Sequence, residues 1–131
     1  MNVVLRWLPV VAWSAVILIA SDDAFSAANS GAWFRGLFGR DLPHVLHVAI
    51  RKLAHVVEYG ILGALAFRAA RIDFPRRAMA IALAVALLVS MIDEVHQSTI
   101  ASRTGTGWDV LLDLIGAGIA LWFLRRNQQS A

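Results

Sequence analysis

Four apolar runs dominate this chain, and they restrict it to very few folds. They are Trp7–Ala20 with the preceding Val3-Val4-Leu5, a stretch of about 45–70, Ala78–Ile92 and Trp108–Leu124. A helix rising ~1.5 Å per residue needs ~20 residues to cross the hydrocarbon of a bilayer. The third run reaches that length only if its helix continues from Asp93 through Gln97. Of the 131 residues, 59% are hydrophobic and 16% charged, against roughly a quarter charged in a soluble domain. The apolar excess therefore has to be buried in lipid. The expected fold is all-α: a polytopic membrane four-helix bundle, one domain over 1–131, with spans at about 3–21, 45–70, 78–97 and 108–124.

The first run has a second reading. It is short, and Ser26-Ala27-Ala28 supplies small residues after it, so it could be the core of a cleaved signal peptide. Only Arg6 precedes it, a weak positive start, which favours a retained span. Between spans one and two, Trp33, Phe34, Leu37 and Phe38 fall on one helical face, with Arg35 and Arg40 off it. Ser30 could cap the start and Gly39 the end of a short helix lying in the membrane interface, aromatic side down. A loop with scattered aromatics is the alternative. Asp41-Leu42-Pro43 reads as an N-cap followed by a proline that opens the helix of span two. Gly60 with Ala64, and Gly116 with Ala120, stand at the four-residue spacing that lets membrane helices approach closely.

Cysteine is absent, which excludes a disulfide framework, thiolate catalysis and Cys-ligated zinc. The net charge of +3 does not make this a nucleic-acid binder, because the basic residues are mostly arginines flanking apolar runs. That pattern signals topology and headgroup contact. The expected partner is membrane lipid, with no nucleic acid, and the oligomeric state is left open.

Four spans put both termini on one side. If that side is the cytoplasm, it holds Arg6, Arg68, Arg71, Arg76, Arg77, Arg125 and Arg126, countered by Asp73. The other side holds Arg35, Arg40, Arg51, Lys52 and Arg103 with most of the acidic residues. The bias is densest in the short loop between spans two and three, where the positive-inside rule weighs most.

This topology gathers a polar set at the external end. Lys52, His55, Glu58 and Tyr59 lie in the outer half of span two, Asp93, Glu94 and Gln97 end span three, and Asp109 and Asp113 open span four, with Arg103 in the loop between. Spacings of three and four place each group on one helical face. Charged side chains beside membrane-grade sequence are expensive and persist mainly where they pair, face water or do chemistry. Three helices can thus point polar faces at one outward-opening pocket.

At these residues the chain resembles the VanZ-like family of small bacterial membrane proteins. The family pattern is Lys-x-x-His-x-x-Glu-Tyr, then Asp-Glu-x-x-Gln, an Arg, Asp and Asn four apart, and Gly. This chain supplies Lys52, His55, Glu58, Tyr59, Asp93, Glu94, Gln97, Arg103, Asp109 and Gly116. It departs at Asp113, where the family more usually has Asn, an exchange that adds a negative charge and removes an amide donor. The resemblance covers about the last two-thirds of the chain, span one matching only as an apolar helix. It implies a bacterial cytoplasmic (inner) membrane location, multi-pass, and a link to glycopeptide (teicoplanin) resistance. It supplies no biochemical mechanism.

The sequence allows several roles for the set. It can be a scaffold of ion pairs and hydrogen bonds holding the outer half of the bundle together. It can bind an amphiphile or lipid headgroup, with Lys52 and Arg103 holding an anion while the carboxylates and Gln97 accept from hydroxyls or amides. It can be an enzyme site for a lipid-linked substrate, with His55 as base, Glu58 as its orienter and Glu94 as a second acid or base. No elbow serine, cysteine or phosphate loop accompanies these groups. His44, His47, His55 and His96 all fall on the external side, which allows a metal, but only His55 belongs to the motif, and no metal or cofactor is assigned. Four short spans make no transport pathway unless the chain oligomerises.

Overall fold

A computed structural model describes residues 2–21, 35–36, 39, 43–99 and 107–129. Four long helices follow in chain order: α1 Val3–Ala20, α2 His44–Ala70, α3 Ala78–Ser98 and α4 Gly107–Gln129. All four are long and apolar enough to cross a membrane, and no strand occurs among the described residues.

The burial pattern is that of a bundle solvated by lipid. Large apolar side chains stay on the outside of every helix, among them Val11, Ile19, Leu53, Leu88, Met91 and Ile119. The inside is lined by smaller ones. On α3, Ala78, Ala82 and Ala86 are fully buried and continue into buried Ser90, Asp93 and Gln97. Steps of three and four residues keep all six on one face. Lipid supplies no hydrophobic drive between helices, so close packing has to hold them together, and small residues make that packing possible.

α2 is the central helix. It contributes Tyr59, Leu62, Ala66, Ala69 and Ala70 to the core, against Ala117 and Leu121 of α4 and Val10 and Ile17 of α1. Its tightest partner is α4, which runs parallel to it. A Cβ at Gly116 would fall 2.9 Å from Val56 Cα and collide with the Val56 carbonyl oxygen, and one at Gly63 would meet Ala117 at 3.1 Å. Gly60 faces the Gly116 carbonyl and the Ala120 methyl at ordinary distance. The small-residue seam therefore exists, but Gly63 takes the place expected of Ala64, which is only half-buried.

Helix ends differ from expectation by a residue or a few. Pro43 is the N-cap of α2, not its first helical residue, and its carbonyl accepts from the N–H groups of Leu46 and His47. Asp41 and Leu42 lie outside the described residues. α4 continues past Arg125-Arg126 to Gln129. Arginine ends a membrane span but is a good helix former, and the Arg126 guanidinium lies 5.5 Å from the Trp122 ring one turn back. Of the connector after α1, Gly39 has φ 69 and donates its N–H to the Arg35 carbonyl, a geometry in which helices end. Ser30, Trp33, Phe34, Leu37, Phe38 and Arg40 lie outside the described residues.

α1 leans on α2 and α3. Its Trp13 indole N–H donates to the Glu58 carbonyl at 2.9 Å, and Arg6 forms an ion pair with Asp73 at 3.2 Å. The first contact fixes α1 to the middle of α2. The second ties its start to the turn between α2 and α3.

Candidate functional site

At the opposite end from that turn, the buried stripe of α3 changes from alanine to polar side chains, and the other helices answer it. Ser21, at the C-cap of α1, is 4% exposed, and His55, Ser90, Asp93, Gln97, Asp109 and Asp113 are buried as well. Tyr59 is fully buried beneath them. Four helices thus contribute to one polar cluster.

Asp113 lies at its centre. One carboxylate oxygen is 3.0 Å from His55 Nδ1, and the other accepts from the Ser90 hydroxyl. With an ionised carboxylate as the acceptor, Nδ1 would carry the proton and Nε2 of a neutral ring would be left as the acceptor. His55 is oriented by a carboxylate of α4, whereas Glu58 was the orienter expected from its place on α2. The His55 and Tyr59 rings are nearly parallel, 6° apart, with centroids separated by 6.3 Å. One turn toward the membrane surface, Lys52 Nζ is 3.2 Å from Asp109 across the same α2–α4 seam. The lysine is half exposed and the aspartate buried.

A second group belongs to α3 and α1. Gln97 donates to Asp93 at 2.9 Å and, more weakly, to the Ser21 hydroxyl at 3.4 Å. Three buried polar atoms here make no well-formed hydrogen bond among the described residues: the Tyr59 hydroxyl, which has the Ser90 hydroxyl near it, Asp93 Oδ1, whose carboxylate has the Ser21 hydroxyl near it, and Glu94 Oε1, which has neither. Most buried polar groups in folded proteins are satisfied, so orphans clustered at one place call for an explanation.

The structure thus brings together Lys52, His55, Tyr59, Asp93, Glu94, Gln97, Asp109 and Asp113 at one end of the bundle. Glu58 is half-buried on α2, one turn after His55, and its backbone carbonyl is what holds Trp13. Arg103 lies outside the described residues. Among those described, no three His, Asp or Glu side chains come together as a metal site.

Sequence reasoning missed Ser90, Ser21 and Trp13. Ser90 had a signal: it is the one polar residue within Ala78–Ile92 and stands three and seven residues before Asp93 and Gln97. Ser21 and Trp13 had none beyond their place in or beside the first span. Their contacts depend on how α1 docks.

The fold and the cluster define a multi-pass membrane protein with a conjoined polar site in one half of its bundle. The model of the VanZ/LLP1 family matches residues 6–127, and the chain belongs to that family. The match takes in α1, for which the motifs give only an apolar helix. No curated protein and no solved structure matches the chain.

Proposed function

We propose that this protein works in the bacterial inner membrane with both termini cytoplasmic, and that its polar cluster opens outward to receive the head of an amphiphile. Two observations support the orientation. The Arg6–Asp73 pair joins the start of α1 to the α2–α3 turn, and that same end carries Arg68, Arg71, Arg76, Arg77, Arg125 and Arg126. Positive charge in short loops favours the cytoplasm, which leaves the cluster at the outer face.

The charge balance of the cluster speaks to ligand chemistry. Glu58, Asp93, Glu94, Asp109 and Asp113 outnumber Lys52 and His55, and two of the three orphaned atoms are carboxylate oxygens. A buried acceptor without a donor carries the reading: the ligand head brings an N–H or O–H group to Glu94 Oε1. Lys52, beside Asp109, and Arg103 would meet an anionic part of the head. A lipid-tailed glycopeptide, rich in amides and hydroxyls and carried into the outer leaflet by its tail, has this chemistry. The VanZ-like resemblance points to the same class.

Expression in a susceptible Gram-positive host should raise tolerance to a lipid-tailed glycopeptide more than to an untailed one. His55→Ala and Glu94→Gln should remove the difference at matched membrane abundance. Equal tolerance in wild type and both variants would leave the cluster as a scaffold.

One observation favours a second reading. A histidine held by a buried carboxylate through Nδ1 presents Nε2 as a general base, so His55 oriented by Asp113 could act on a lipid-linked substrate. Turnover of such a substrate by purified protein, lost in His55→Ala, would select this reading, and absence of turnover would remove it.

A further inference from the structure

The other end of the bundle carries two grooves that the polar cluster does not involve. Between α2 and α4, a cavity of 450 Å³ is lined by Ile61, Ala64, Leu65 and Leu124, with Arg68 and Arg71 at its mouth. Between α1 and α2, a second of 250 Å³ is lined by Leu5, Pro9, Ala69 and Ile72 with Arg6. Leu65 and Arg68 line both, so the grooves flank one ridge of α2. The first alone falls within the roughly 300–1,000 Å³ of ordinary ligand sites.

From Ile61 to Arg68 is seven residues, or ~10 Å along the helix. The grooves therefore run from apolar floors at hydrocarbon depth to cationic mouths at headgroup level. Arg68 and Arg71 have no ion pair among the described residues. Arg6 does pair with Asp73, but its side chain is only 9% exposed and its buried Nε has no hydrogen-bond partner among the described residues. A cationic crest between two apolar channels matches a molecule with one anionic head and two chains.

We infer that this end of the protein binds an anionic diacyl phospholipid, its phosphate held by Arg68 and Arg71 and its acyl chains lying in the two grooves. The site is independent of the amphiphile pocket and occupies the opposite leaflet. Guanidinium groups suit it because their fork meets two phosphate oxygens at once. Bound lipid would also cover the groove between α2 and α4, where the small-residue seam gives way to open space.

Native mass spectrometry of the full chain, released from micelles containing phosphatidylglycerol and phosphatidylcholine in equal amounts, tests this. Wild type should retain one phosphatidylglycerol with a preference on the order of 30-fold, as expected for two cations near a headgroup. R68Q/R71Q should bind the two lipids alike, while R125Q, altered at the same end but not lining either groove, should keep the preference. Circular dichroism should show all three chains equally helical. Equal binding of both lipids by wild type, or an undiminished preference in folded R68Q/R71Q, would overturn the inference. A preference lost equally in R125Q would reduce it to a diffuse charge effect and overturn the defined site.

Discussion

Replacing Gly116 by alanine should separate α2 from α4 and disable the polar cluster through packing alone. The added Cβ would lie 2.9 Å from Val56 Cα and nearer still to the Val56 carbonyl oxygen. Carbon atoms pack best at about 3.5–4.0 Å, and both obstacles are backbone, so no side chain can rotate away. The helices must part by roughly 1 Å. Overpacking of this kind costs about 1–3 kcal/mol, offset in part by the ~0.8–1 kcal/mol by which alanine exceeds glycine in a helix. The same seam carries the His55–Asp113 contact of 3.0 Å and the Lys52–Asp109 contact of 3.2 Å. A further ångström would take both beyond hydrogen-bonding range. Gly118 is the internal control, since a Cβ there would meet nothing within 4 Å. Thermal melts in detergent, followed by helix circular dichroism, should show Gly116→Ala lowered by on the order of 5 °C and Gly118→Ala unchanged or raised. Gly60→Ala, with its nearest neighbour at 3.4 Å, should fall between them. Gly116→Ala melting with Gly118→Ala would mean that α2 and α4 do not meet at this register.

Other expectations follow from the same geometry. His55→Ala and Asp113→Ala should be non-additive by about 1–3 kcal/mol in a double-mutant cycle of stability, because either change alone leaves a buried partner unmatched; additive losses would deny the contact. Lys52→Ala should cost less than about 1 kcal/mol, since the side chain is 46% exposed and such pairs are weak; a larger loss would show that Lys52 does more than pair with Asp109. A cysteine at Thr104 should react with an impermeant maleimide in intact cells and one at Arg77 should not; the reverse labelling would invert the topology.

The four helices were legible because a bilayer demands long apolar runs, and the runs have no other use. Span boundaries were less so. The Arg125-Arg126 pair marks where lipid ends, yet α4 continues to Gln129, since the helix and the span obey different constraints. The cluster was legible as a set because helical spacing puts Lys52 with His55, and Asp109 with Asp113, on single faces. Its pairing was not. Which carboxylate meets His55 depends on the register of α2 against α4, and that register follows from how closely Gly116 lets Val56 approach, a property no local pattern displays. Asp113 illustrates the limit. By motif it is a departure from Asn, and only the assembled bundle shows both its oxygens engaged, by His55 and Ser90.

The central claim is that the cluster is a ligand pocket and not only a clamp between helices, and Glu94 is where the two differ. Its Oε1 is buried with no partner among the described residues, so a scaffold gains little from that oxygen while a donor-bearing ligand gains a charge-assisted hydrogen bond. Equilibrium binding of a lipid-tailed glycopeptide to the purified protein in lipid nanodiscs, with Glu94→Gln beside wild type, tests this directly. The account predicts saturable binding by wild type and affinity weakened by about 10- to 100-fold in Glu94→Gln, with the melting temperature of the variant equal to or above that of wild type. Undiminished binding by Glu94→Gln, or binding lost only in step with the folded fraction, would contradict it.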